Sequence, residues 1–500
     1  MNGFSKWALA MALAIPVALS GQERPDTVRP GLEPYTVGEA LPPTEPGQTL
    51  VNMTVDDAIA RALESNLDIQ TAKLSPEIQH YSLLSAEAAF SPTFRTTIGY
   101  NNQKSQPTSQ LDAGSGVSQV TSQAQTLNAS LSKPLSWTGG QLSANFNNRR
   151  NETNSEFTTR NPSYNSTFSV NYSQPLLAGL RIDNQRAALQ TQQIQGQITN
   201  LQLQSQIANI TNQVRRSYWA LRAAIEQTEI QRRNLNQAQR LLAQDSLQVR
   251  LGRMTVTQML QAEAQVASAE QALLNAQVQW HNQELTFKSL LVSGPDDGLL
   301  TETINPTSRP TVEQQTVDLQ QAVQVALRER TDLRQQRRQR DISQVNLEVS
   351  KSATLPDLTL SAGYSLQGVG GNLYSRDGIG GTAQLVQQGG YIDGLQSIAN
   401  FETPTWNVTL NGSYPLGTNP NKAALERAKL QMKQTDLALK SQELTIITQV
   451  TNAGYAVQNA YLQLQAATRA RVAAERSYEG EIQRFNVGAA TNYEVVQSQN

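Results

Sequence analysis

Two stretches of this chain repeat one another in unbroken register, and that repetition narrows the possible folds more than length does. Thr54 to Tyr100 lies over Asp318 to Tyr364 at a constant shift of 264 residues, without a gap. Ala58 meets Ala322, Ala62-Leu63 meet Ala326-Leu327, Asp68 meets Asp332, Pro92 meets Pro356 and Gly99-Tyr100 meet Gly363-Tyr364. Beyond variable loops, Pro175-Leu176 face Pro415-Leu416, and at a shift of 236 residues Gly252 faces Gly488, Thr255 faces Thr491 and Gln261 faces Gln497. Each half reads helix, strands, very long helix, glycine turn, helix, so the fold must accommodate one unit used twice.

The repeats set the expected organisation. Residues 1-21 have one basic residue at Lys6, an apolar run from Trp7 to Leu19 and the small residues Ala18, Ser20 and Gly21, the order of a secretory signal. A membrane-anchoring helix is the competing reading, and Pro16 with the shortness of the run disfavours it. Residues 22-50 are a Pro-rich leader without a core, 51-292 the first repeat, 293-316 a linker from Ser293 through Pro310, and 317-500 the second repeat. In the first repeat the helix after Gly252 runs to about Leu291, whereas Asn500 is the equivalent of Ala264. The comparison predicts a last helix short by roughly 30 residues, as in a fragment or shortened form.

Two periodicities follow. Around Pro92, Phe94, Ile98 and Tyr100 alternate with Arg95, Thr97 and Gly99, and the same period-two pattern recurs in 127-131, 142-146, 168-172, 358-364 and 406-410. Such segments suit strands with lipid on one side and water on the other, or a sandwich with one wet face. Four are clear; the pair from Leu127 to Phe146 either lengthens a barrel wall or forms a hairpin outside it. A membrane barrel needs about eight strands or more, so several copies must share one. The Gly-rich stretches 114-116 and 368-394 read as exposed loops. From Asp183 to Arg250 there is no proline and one glycine, and Ile194, Ile198, Leu201, Ile207, Ile210, Val214, Leu221 and Ile225 recur every three or four residues. That predicts a rod of roughly 100 Å with a narrow apolar seam. Asn421 to Val487 repeats it. Only 38% of residues are hydrophobic and the mean hydropathy is -0.45, which fits helices around a hollow better than a solid bundle.

Little chemistry is visible. With no cysteine, lipid acylation, disulfides and thiolate chemistry are excluded. His80 and His281 are the only histidines and lie far apart, so neither a metal site nor a histidine-based triad is expected. Asp296-Asp297 read as solvated linker residues. The run Arg334, Arg337, Arg338 and Arg340, like Arg215-Arg216 and Arg232-Arg233, reads as a solvated helix face, and the net charge of -1 gives no pull toward nucleic acid. Gly368-Gly371 and Gly378-Gly381 lack the lysine and helix onset of a phosphate loop. No cofactor is expected.

The duplicated unit, with Thr54-Val55-Asp56-Asp57-Ala58 opening the first helix, Phe90-Ser91-Pro92 after the second, Ser173-Gln174-Pro175-Leu176 and Ser413-Tyr414-Pro415-Leu416 leaving the strands, and Arg250-Leu251-Gly252 and Phe485-Asn486-Val487-Gly488 at the turns, resembles the TolC family of outer-membrane efflux ducts. The resemblance implies an α+β membrane protein: a homotrimer sharing one β-barrel in outer-membrane lipid, continued by a long periplasmic α-helical barrel. It implies passive export through a tripartite efflux or type I secretion system, by way of a periplasmic adaptor protein and an inner-membrane transporter. The tips Arg250, Leu251, Gly252, Val487 and Gly488 would contact the adaptor. Glu494 matches an acidic position of the family's periplasmic aperture, while Gln258 and Gln497 stand at carboxylate positions, Phe485 for the tyrosine and Ala490 for the arginine of its usual network. A periplasmic adaptor with helical hairpins is the alternative, and predicts one hairpin over a soluble β core. A trimeric adhesin would require an unbroken heptad.

Overall fold

A computed structural model of the chain describes residues 41–42, 49–107, 118–155, 158–310, 317–378, 381–417, 419–490 and 492–499. The expected signal, nearly all of the leader and the Gly114-Ser115-Gly116 stretch lie outside them. Strand β1 (Leu50–Met53) leads into α1 (Val55–Ser65) and α2 (Leu67–Ala88). Thr54 caps α1: its hydroxyl accepts the Asp57 amide, and the Asp57 carboxylate accepts the Thr54 amide. The Thr54 hydroxyl, which also donates to the Asp57 carboxylate at 2.6 Å, and the Thr54 amide hold that carboxyl below the ordinary range. Four strands follow, β2 (Thr93–Ser105), β3 (Val120–Pro134), β4 (Gln141–Thr153) and β5 (Ser163–Pro175). Then come the 67-residue α3 (Asn184–Arg250), the 36-residue return helix α4 (Val256–Leu291) and the short β6 (Thr303–Pro306).

The order recurs with α5 (Leu319–Glu329), α6 (Thr331–Ser352) and β7 (Asp357–Gly370), then a small hairpin of β8 (Leu373–Arg376) and β9 (Ala383–Gln387). It ends with α7 (Tyr391–Ala399), β10 (Pro404–Ser413), the 67-residue α8 (Pro420–Asn486) and α9 (Asn492–Gln499). The long helices begin where the sequence places a cap: the Asp183 carboxylate accepts the Arg186 amide and Asn419 the Asn421 amide.

Six strands form one antiparallel sheet in the order β10-β7-β5-β4-β3-β2. The Leu127-to-Phe146 pair, whose place the sequence leaves open, lies inside it as β3 and β4. The stretch 368-394, read as a loop, instead holds β8, β9 and the start of α7. Helix α7 lies against the sheet through glycine: a Cβ on Gly368 would overlap the Gly394 carbonyl, and only bare backbone fits so closely. The Asn148 side-chain amide donates to the Tyr391 hydroxyl at 2.6 Å.

A continuous core sits where the helices pass β1 and β6. Ile69, Val214, Tyr218, Leu221, Ile225, Phe287, Leu291 and Ile304 are fully buried there. The Tyr218 hydroxyl donates to the Met53 carbonyl at 3.0 Å and accepts the Ser308 amide at 2.8 Å. Strands β1 and β6 pair in parallel, Leu50 facing Thr303, so the segment read as a linker contains a strand. Asp297 is likewise not merely solvated: it pairs with Arg61 at 2.8 Å. The Leu299 and Ser293 amides, with Arg61 beside them, hold its carboxyl below the ordinary range. The basic run of α6 is only partly a solvated face, since Arg340 reaches Asp436 of α8 at 2.9 Å and Arg337 approaches Glu443 at 3.9 Å.

Candidate functional site

The six-stranded sheet has two chemically opposite faces, and its register shows them row by row. Phe94 pairs with Leu131, and the row continues through Ala144, Val170 and Tyr364 to Trp406. One residue along, the opposite face carries Arg95, Ser130, Asn145, Ser169, Ser365 and Thr405 in the same row. The adjoining rows repeat the contrast: Phe146, Phe168 and Leu366 on the first face, Asn128, Asn147 and Thr167 on the second. Alternation along each strand is thereby converted into one apolar and one polar surface. The apolar surface is open rather than packed: Ile98 is 80% exposed, Trp406 75% and Phe94 68%. A patch this broad on a protein in water would be covered, so its solvent is hydrocarbon.

The far ends of the long helices form two matching turns. After α3, Gly252 takes φ +68° and donates to the Val249 carbonyl at 3.0 Å, and Arg253 donates to the Gln248 carbonyl at 2.9 Å. After α8, Gly488 takes φ +75° and donates to Phe485 at 3.0 Å, and Ala489 donates to Arg484 at 2.8 Å. Each helix therefore stops on a left-handed residue that costs glycine little and any other residue more. A Cβ at either glycine would meet nothing within 4 Å. Arg250 and Leu251 are exposed at the first tip, and Val487 at the second. The structure uses Gln258 in a local role: its side-chain oxygen accepts the Thr255 amide at 3.2 Å and hydroxyl at 3.0 Å, closing the start of α4. Glu494 and Gln497 are exposed on α9, one turn apart. The spacing Thr255-x-x-Gln258 is the sequence pattern of a capping box, but a polar residue there fits a cap and an aperture equally until the bonds are seen.

His281 stacks on Trp280 with ring centroids 4.3 Å apart, and His80 is exposed on α2. Among the described residues no three His, Asp or Glu side chains gather as a metal-ligand set. An open cleft of about 950 Å³ runs between α3 and the α5–α6 junction, bordered by Asn209, Asn212, Val325, Glu329 and Asp332. Asp332 is partly buried, which raises its pKa, but bonds from Arg330 and the Leu333 amide outweigh this and hold it below the ordinary range. It is an ion-paired helix-start carboxylate and not a poised proton donor.

The chain matches the family described as outer membrane efflux protein over residues 141–292 and 322–500. Among curated proteins none matches. Among solved structures the fold is similar to CusC, with TM-score 0.60 at 15% identity over 93% of this chain and 90% of that one. It is similar to a membrane protein of Pseudomonas aeruginosa, with TM-score 0.62 at 14% identity over 89% and 83% of the two chains. It also resembles the outer membrane protein VceC of Vibrio cholerae, with TM-score 0.59 at 15% identity over 89% and 88%.

Proposed function

The chain belongs to the outer membrane efflux protein family, and from that premise we propose that three copies join their sheets into one barrel and their long helices into one periplasmic tunnel, forming a passive duct. It is an outer-membrane passage from the periplasm to the exterior, a conduit and not an enzyme. The observation that carries the trimeric reading is the two-faced sheet, with hydrocarbon-facing Phe94, Leu131 and Trp406 backed by Arg95, Ser130 and Thr405. A single six-stranded sheet cannot close a membrane barrel, and its polar face needs water on the inside, so copies must complete it. The two repeats would then give each copy two hairpins ending in glycine tips.

In this arrangement Arg250, Leu251, Gly252, Val487 and Gly488 form the end that meets a periplasmic adaptor, itself joined to an inner-membrane transporter that supplies the energy. Three Glu494 carboxylates, with Gln258 and Gln497 nearby on the tip-proximal helices, would ring the mouth and favour cations. Single-channel conductance in planar bilayers, with native mass of the detergent-purified protein, tests this directly. The expected result is a trimer conducting in discrete steps with cation preference, and Glu494→Gln should weaken that preference. A monomer without conductance would overturn the duct and favour a soluble adaptor.

The tips admit a separate test. A Cβ at Gly252 or Gly488 meets nothing within 4 Å, so Gly252→Trp with Gly488→Trp should cost chiefly the backbone strain of the left-handed conformation, about 1–2 kcal/mol at each turn. Trimer assembly should persist while adaptor-dependent export is lost, as read by pull-down and efflux assay. Export at the unsubstituted level would exclude the tips as the docking end.

A further inference from the structure

We infer that all six strands of each copy stand in the membrane wall, so that three copies close a barrel of eighteen strands in which β2 of one copy pairs antiparallel with β10 of the next. This rests on the trimeric reading above and goes beyond it by assigning β3 and β4 to the wall.

Position in the sheet is the first support. Strands β3 and β4 lie between β2 and β5, paired along 13 residues with β2 and 11 with β5. They cannot leave the wall without breaking both ladders in hydrocarbon, where unpaired backbone costs several kcal/mol per group. Their outward residues Leu127, Leu131, Leu142 and Phe146 continue the apolar band rather than interrupt it.

The near turn of this hairpin is anchored. Gly139, at φ +70°, fits where a Cβ would lie 2.6 Å from the Arg186 guanidinium and 2.8 Å from the Asp183 carboxylate. The Gln174 side-chain amide donates to the Thr138 carbonyl at 2.9 Å. The turn is thus fixed to the start of α3, and its Trp137 is 79% exposed, as an interfacial tryptophan at the edge of a bilayer would be.

Register supplies the geometry. Thr93, the helix-side end of β2, faces Ser132, two residues short of the β3 end at Pro134. Gln141 of β4 faces Ser173, two short of Pro175, and Pro175 faces Thr359, two beyond Asp357 of β7. The β3–β4 and β7–β10 pairs add no offset, since Pro134 faces Gln141 and Asp357 faces Ser413. Three offsets of two residues give six residues over five strand steps. At about 3.3 Å per residue and about 4.8 Å between strands this is a tilt of about 40°, within the range at which barrels close. Eighteen strands at that tilt enclose a backbone cylinder about 36 Å across, against about 24 Å for twelve.

The edges select the occupant. Strands β2 and β10 bound the sheet, and among the described residues neither has a partner on its outer side. Six alternating strands leave them running in opposite directions, so an identical neighbour continues the antiparallel ladder without a break.

Cysteine pairs test the wall, because the chain has none of its own. Thr97→Cys on β2 is combined in turn with Thr405→Cys, Asn407→Cys, Thr409→Cys and Asn411→Cys on β10, and a second set replaces Thr97→Cys by Asn145→Cys on β4. All these positions lie on the polar face, and within one copy both pairings are separated by more than a disulfide can span, on the order of 14 Å or greater. After copper-phenanthroline oxidation in outer membranes, at least one β2–β10 pair should yield covalent trimers on a denaturing gel, and no β4–β10 pair should. Crosslinking by β4–β10 pairs, or a trimeric native mass with no β2–β10 product at any of the four positions, overturns the eighteen-strand wall and leaves the trimer standing. A monomeric native mass overturns both.

Discussion

Val408→Arg is expected to destabilise the membrane-inserted protein by about 2–4 kcal/mol per copy, roughly a 30- to 700-fold shift in the folding equilibrium. Its neighbour Thr409→Arg should stay within about 0.5 kcal/mol of the parent. Val408 lies midway along β10, 63% exposed on the apolar face beside Ala362. In lipid, an arginine there must bury its charge in hydrocarbon or bend away to reach water. Thr409 faces the other way, beside Ser361, where an added guanidinium meets water and hydroxyls. Urea midpoints of refolding into lipid vesicles measure both at constant slope. Equal effects at the two positions would mean that the faces do not see different solvents.

Phe287→Ala should be the most damaging substitution in the helical region, at about 3–5 kcal/mol. The ring is fully buried and sits edge-on to Tyr218, centroids 5.8 Å apart. Tyr218 in turn touches Trp219 at 5.4 Å and holds β1 to the segment after β6 through its hydroxyl. Truncation removes the dispersion contacts and leaves a cavity that helices held at both ends cannot close. Two residues away Leu285 is 58% exposed, so Leu285→Ala should change stability by less than about 0.5 kcal/mol. Thermal unfolding followed by circular dichroism separates them, and similar losses would remove Phe287 from the core.

What the sequence makes legible is what periodicity encodes. The long helix read from Asp183 to Arg250 spans Asn184–Arg250 with Asp183 as its cap, because an uninterrupted three-or-four spacing, a capping carboxylate and a terminal glycine all agree. The strand faces were legible for the same reason. Short elements were not. Strands β1 and β6 have four residues each and pair across some 250 positions, too short for alternation and too distant for local inference. The glycines from Gly368 to Gly394 read as loop, whereas Gly368 and Gly394 are small because a helix lies directly on a strand there. Asp297 looked solvated because its partner Arg61 is 236 residues away. The tip glycines were visible as helix ends, but the proposed ring around an aperture is a relation between copies, which one chain's pattern does not encode.

The pairing of β1 with β6 makes the stretch between them a closed circuit. Four residues at each end meet side by side, Tyr218 ties Met53 to Ser308 just beyond β6, and the α3–α4 hairpin has already brought the ends together, so only a short effective loop remains to be closed. A cut at Gly252 would open this circuit without releasing either arm, since each arm stays held in the shared core. The tip is therefore a part of the first half where the chain can be nicked, lengthened or exchanged while everything behind it keeps its place. On the proposed docking at this tip, partner specificity can diverge there without renegotiating the rest of the fold.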